Sequence, residues 1–383
     1  MKNLRIAPLP VLILALAACS SSNVHQPNSL PVNPGKVSVH HDWSVDVGGG
    51  GGNQLLGLAP DATGAVIVAA SAGGHVVAVN TANGRIKWQR HLDVRASGGP
   101  AIGSGVVVVG TRAGNVIALD ASDGHTLWKH YVSSPVIVAP AIGGGQVIVN
   151  TLAGDLVALD ARTGSEQWTQ SNQAPSLSLR IATRPLVEDG SVYGGFADGN
   201  VMAVSATTGK QLWLKQIAAG QAGNIIGDMV DVGRQMAFAG GDLYVATYQG
   251  KLAAVAPDTG QVIWSRDLSS YTGVTLDGAN LYSSDSEGRV HAFDLVTGLP
   301  KWTYGGLAYR GLSAPRSYGS VVAVGDRFGY LHFIDRNTGK YLGRIDVGDG
   351  ALRMVPIVAG SRLIVLGQDG DLAAFQVKVK QGK

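Results

Sequence analysis

The sequence predicts an all-β fold: an eight-bladed β-propeller of four-stranded antiparallel blades. Three observations predict it. A repeat of about 40 residues runs through the chain, tryptophan ends nearly every copy, and unmatched half-repeats stand at the two ends. Composition agrees. Glycine supplies 54 of 383 residues, and frequent glycine costs helices about 1 kcal/mol per site. Apolar residues make up 45% of the chain, enough to bury a core, which excludes disorder for the bulk of it. The formal net charge is only +3, so a basic nucleic-acid footprint is excluded.

The repeat reads Gly-x-aliphatic-x-Ala-aliphatic-Asp-x-x-Thr-Gly-x-x-x-Trp. Full copies start at Gly74, Gly114, Gly154, Gly199, Gly250, Gly288 and Gly329, and a truncated one starts at Gly370. In the second copy Val116–Leu119 is a short strand, and Asp120–Gly124 is a turn with Asp as its local cap. Thr126-Leu127-Trp128 then opens the outer strand. Upstream, Val106–Val109 is another strand, and Gly99-Pro100-Ala101-Ile102 leads an inner one. Pro100, Pro140, Pro185, Pro315 and Pro356 are placed on inner strands, whose channel edge tolerates a missing N–H.

The seven tryptophans, Trp43, Trp88, Trp128, Trp168, Trp213, Trp264 and Trp302, all sit at repeat ends, with Gly343 in the eighth place. They are read as blade-docking core residues. Trp43 has no repeat before it, and the Gly370 copy has no tryptophan after it. The simplest closure pairs these two pieces, so the first strand completes the last blade and removes an exposed edge.

Residues 1–18 read as a secretory signal, with Lys2 and Arg5 before the short apolar run Val11–Leu16. Leu16-Ala17-Ala18-Cys19 resembles a bacterial lipobox, which implies lipidation at Cys19, the single cysteine. Ser20 resembles the pattern that releases lipoproteins to the outer membrane, facing the periplasm. Residues 19–37 are polar and proline-rich and read as a flexible tether, which leaves 38–379 for the propeller.

Successive repeat ends are 45, 40, 40, 45, 51, 38 and 41 residues apart. The two later excesses follow Trp168 and Trp213 and fall on one face of the ring, where lengthened loops make a docking surface. The first loop carries Leu177, Leu179 and Arg180, residue types suited to an interface anchor. The second carries Asp228 and Asp231, which either receive a basic partner patch or cap their own loop. Nucleophile elbows, phosphate loops and zinc-protease motifs are absent.

The repeat resembles the quinoprotein-type tryptophan-docking repeat. Two groups carry it in eight-bladed rings: pyrroloquinoline-quinone dehydrogenases, and the propeller lipoproteins of the outer-membrane β-barrel assembly machinery. The lipobox, the length and the lack of large insertions favour the second. That resemblance implies a non-catalytic scaffold without metal or cofactor, anchored in the outer membrane by its N-terminal lipid. It implies the barrel-forming insertase as partner, bound through Leu177, Leu179, Arg180 and Asp231, and nascent outer-membrane proteins as clients. Gly233 stands where the family often has a second Asp. The dehydrogenases use a vicinal cysteine pair, which one cysteine cannot supply. A quinone-dependent enzyme and a generic envelope-ligand propeller are the alternatives.

Overall fold

The computed structural model of the chain describes residues 25–49, 57–173, 175, 177–220, 227 and 229–380. Every regular element among them is a strand, and the strands form eight four-stranded sheets. From the channel outward, blade 1 comprises Asp61–Thr63, Val66–Ala70, His75–Asn80 and Ile86–His91. Blades 2 to 7 repeat that order. Blade 8 takes Ile357–Ala359, Arg362–Leu366 and Asp371–Val379 from the far end of the chain and its outer strand, Val37–Asp46, from the near end. Val37 pairs with Val379 and Asp46 with Asp371, so main-chain hydrogen bonds close the ring.

The two middle strands of each blade are buried on both faces, which is why they read as continuous apolar runs such as Val106–Val109. Outer strands bury little besides their tryptophan. That tryptophan serves the next blade. Trp128 of blade 2 donates from Nε1 to Ala161 O at 2.9 Å and lies flat on Gly164, where an added Cβ would come within 2.5 Å of the indole. Gly164 also has φ +72°, so both the turn and the indole demand glycine there. The same donation links Trp43 to Thr81, Trp88 to Ala121, Trp168 to Ala206, Trp213 to Pro257 and Trp302 to Arg336. Trp264 is the exception. Its Nε1 finds no acceptor among the described residues, and Arg266 donates to Gly298 O and Thr297 O beside its ring instead.

Register explains the alanine of the repeat. Each tryptophan stands directly opposite an alanine, for example Ala158 opposite Trp168, at a point where the ladder is interrupted by a bulge. In blade 7 the sizes are exchanged, with Phe333 opposite Gly343. Large meets small across the ladder in both arrangements.

Two expectations are corrected. Of the five prolines, only Pro100 lies within a strand; Pro140, Pro185, Pro315 and Pro356 each immediately precede one. Their fixed φ suits the entry to a strand as well as its edge. Second, the part of the 19–37 segment from residue 25 onward is seated on the ring and is not a free tether. His25 stacks on Tyr309, Asn28 N donates to Ala308 O at 2.9 Å, and Lys36 N donates to Leu342 O at 3.0 Å. Arg310 Nη1 and Arg344 Nη1 donate to Asn28 O and Pro31 O. The missing indole explains the seating: an added Cβ on Gly343 would meet Asn33 Oδ1 at 2.8 Å and Val37 at 3.2 Å. The arm fills the seam that a tryptophan fills elsewhere. Cys19 and residues 1–18 lie outside the described residues.

Candidate functional site

The lengthened loops after Trp168 and Trp213 meet over blades 3, 4 and 5. Their junction is one side chain. Asp231 is 1% exposed, and Leu179 N donates to its two carboxylate oxygens at 3.1 and 3.2 Å. Tyr248 N donates to the Asp231 carbonyl at 2.8 Å. Thr183 Oγ1 donates to Val232 O at 3.0 Å and Arg184 N to Arg234 O at 2.8 Å, which continues the seam between the loops. Both segments therefore lie on one side of the disc and are fixed to each other.

The display surface is the first loop. Leu177 is 46% exposed and Arg180 is exposed beside it, with Leu179 half-buried between them. Arg180 takes a φ of +55° and donates its N–H to Ser178 Oγ at 3.2 Å. A non-glycine residue in that region stays there only where its surroundings fix it. A cleft beside it is lined by Ser178, Ile181, Leu152, Phe196 and Asp231. An apolar residue and a guanidinium held outward on a rigid loop offer what an interface anchor needs, since little ordering remains to be done on binding.

Asp231 occupies a different place from the two exposed residues. Its side chain is inside, so of the two roles left open for it, capping the loop is the one the geometry supports. Asp228 lies outside the described residues. Sequence reasoning overlooked Asn150, which is 2% exposed and donates through Nδ2 to Thr183 O and Gly195 O, both at 3.0 Å. A signal existed. The equivalent strand-end position in most other repeats holds Gly, Ala or Ser (Ala70, Gly110, Gly195, Ala246, Ser284, Gly325).

Burial raises the Asp231 carboxyl from 3.8 to about 6, against the lowering effect of the Leu179 N–H. A raised carboxyl favours folding fully below its unfolded value and loses that advantage as pH rises through its folded value. Between pH 3.8 and about 6 the loss amounts to about 3 kcal/mol at 1.36 kcal/mol per unit. Asp231→Asn keeps an acceptor for Leu179 N and removes the charge. We expect the variant to match the wild type near pH 4 and to exceed it in stability at pH 7.5. Denaturant unfolding at both pH values measures this; parallel pH profiles would show that burial does not control the carboxyl.

Comparison with known proteins gives a consistent picture. Residues 72–304 match the family model described as outer membrane protein assembly factor BamB. The BamB assembly factor of Pseudomonas aeruginosa is 42% identical over 97% of this chain and 98% of its own length. That of Marinobacter adhaerens is 47% identical over 96% and 95%. The crystal structure of BamB from Moraxella catarrhalis superposes with a TM-score of 0.80 at 31% identity, covering 88% of this chain and all of that one. The quinohemoprotein alcohol dehydrogenase of Comamonas testosteroni has a TM-score of 0.69 at 15% identity over 92% and 78%, a likeness of fold alone.

Proposed function

The chain belongs to the BamB family of outer membrane protein assembly factors, and from that premise we propose that it is a non-catalytic scaffold whose Leu177–Arg180 loop docks the barrel-forming insertase. The observation that carries the docking surface is the pair of hydrogen bonds from Leu179 N to Asp231, which pins the exposed loop to its neighbour. Leu177 supplies apolar contact and Arg180 a planar donor for a carboxylate or a main-chain carbonyl on the partner. Asp231 acts behind them as the residue that positions the loop, and Asp228 adds acidic charge to the second loop. A domain gripped by a loop that does not yield is held at one angle to the ring, and this is the service a scaffold gives an insertion machine.

Lipid attached at Cys19 places the protein at the periplasmic side of the outer membrane. Residues 25–36 are seated on blades 6 and 7, and five residues of sequence separate Cys19 from that arm, which keeps the ring close to the lipid surface. Nascent outer-membrane proteins are a second class of partner. The outer strands of blades 4 and 5 expose Leu212, Leu214 and Ile263, an edge suited to an incoming strand. The enzymatic alternative needs a vicinal cysteine pair, and the chain has one cysteine, at position 19.

The test is capture of the insertase by purified variants. Leu177→Glu and Arg180→Glu lie on the surface, so folding should survive, as circular dichroism will check. Each is expected to weaken capture by about 10-fold or more, the scale of an interface anchor. Undiminished capture by both folded variants would show that the insertase docks elsewhere on the ring.

A further inference from the structure

The channel at the centre of the ring holds a cluster of charge that docking does not use. A cavity of about 90 Å³ is lined there by Arg184 from blade 4, Arg234 from blade 5 and Arg353 from blade 8, with Tyr271 from blade 6. No carboxylate lines it among the described residues. The nearest compensating group is Asp61 of blade 1, whose Oδ2 lies 3.1 Å from Arg184 Nη2. That oxygen also accepts Ile102 N at 3.2 Å, so it is already shared. Arg353 Nε is buried and has no hydrogen-bond partner among the described residues.

Burial and like charge both act on the cations here. Burial, with the like charge of Arg353 beside it, brings Arg234 down to about 10, although Tyr271 pulls the other way. Arg316 is lowered by burial and by the neighbouring Arg184. Like-charged guanidinium groups gathered at one cavity repel one another and favour an opposite charge between them. Their planar N–H forks match the paired oxygens of phosphate and carboxylate. Three blades each contribute one, and the cavity between them is of the size of a small ion with its water.

We propose that the central channel is a binding site for a small oxyanion, held by Arg234 and Arg353 with the Tyr271 hydroxyl as a further donor, and with Arg184 completing the ring of charge. Its occupant neutralises the channel and ties blades 5 and 8 across the ring. Leu177, Leu179 and Arg180 do not line the cavity, but Arg184 N and Arg234 O join the two lengthened loops behind them.

Inorganic phosphate and acetate are the probes, titrated separately by calorimetry into the full chain in mild detergent, with ionic strength held by sodium chloride. We expect saturable heat with at least one of them, and a rise in thermal midpoint that follows the same saturation. Phosphate alone identifies a phosphoryl ligand, and acetate alone a carboxylate. Arg353→Gln is expected to weaken binding by 10-fold or more, whereas Arg112→Gln, an exposed arginine on the rim, leaves it unchanged. Absence of saturable binding by the wild-type chain with both probes overturns the proposal whatever the variants do. Equal binding by wild type and folded Arg353→Gln overturns the assignment to the channel.

Discussion

Asp326→Ala is expected to destabilise the fold by about 3–5 kcal/mol, the cost of breaking a buried ion pair from one side. Asp326 is wholly buried and its carboxylate serves four donors. Oδ2 accepts Arg310 Nε at 2.7 Å and faces His332 Nε2 at 3.1 Å, while Oδ1 accepts Phe328 N at 2.9 Å and Tyr330 N at 3.0 Å. Removing the carboxylate strands Arg310, which is 5% exposed, and leaves two turn amides unpaired. The damage spreads, because Arg310 also holds Asn28 O of the N-terminal arm. Asp326→Asn retains an acceptor for the turn and is expected to fall between the wild type and the alanine variant.

The pH dependence of this network runs opposite to that of Asp231. Burial alone would raise the Asp326 carboxyl, but the His332 contact, the Tyr330 N–H and Arg310 outweigh it and hold the group below its ordinary value. Its stabilisation is therefore present above the ordinary carboxylate range and fades as pH falls through the folded value. His332 is lowered chiefly by burial, so acid adds a second loss as pH falls below the ordinary histidine value. Denaturant unfolding at pH 7.5, followed by circular dichroism, measures the effect. A cost under about 1 kcal/mol for the alanine variant would mean that water replaces the carboxylate and that the network does not hold the seam.

How much of this was legible in the sequence differs from place to place. The ring was, because its cause repeats. Glycine under indole and alanine opposite indole recur with one spacing, and counting tryptophans with Gly343 gave the blades and the closing strand. The docking loops were placed on one face from spacing alone. The pin between them was not, because Asp231 reads the same whether it points to water or inward, and only packing decides. The seated arm was hidden for a related reason. Proline, serine and asparagine describe a chain without its own secondary structure; they do not say whether a neighbour offers carbonyls and a vacant seam. The Asp326 network was legible in retrospect. The residue three before the repeat glycine is Ser71, Thr111, Thr151 or Thr247 in four blades, and each bonds the amide four residues on. In blades 6 and 7 it is Asp285 and Asp326, and in those two alone the residue three after the glycine is histidine, His291 and His332. A substitution at one strand end is matched by another on the facing strand, and the chain carries the pair twice.

Trp168→Ala is expected to cost about 3–5 kcal/mol, and the comparison with Trp264→Ala tells which part of the seam supplies it. Trp168 lies against Gly209 of the next blade and donates Nε1 to Ala206 O at 2.7 Å. Truncation opens a cavity between blades 3 and 4 and removes one of the two donors to that carbonyl, leaving Gln146 Nε2 at 2.9 Å. Ala158, opposite, is too small to reach into the gap. Trp264 has the same packing on Gly298 but is less deeply buried and makes no such bond. Arg266 already holds the Gly298 and Thr297 carbonyls there and remains to cover part of the gap. The blade 5 variant should therefore lose less, by about 1 kcal/mol for the absent hydrogen bond together with the shallower cavity. Because every blade is locked to two neighbours and the ring is shut by Val37–Asp46, both variants should unfold in one transition at a lower denaturant midpoint with an unchanged slope. Equal losses would assign the seam energy to indole stacking on glycine alone. A second transition in either variant would show that the wheel can open at one spoke while the rest stays folded.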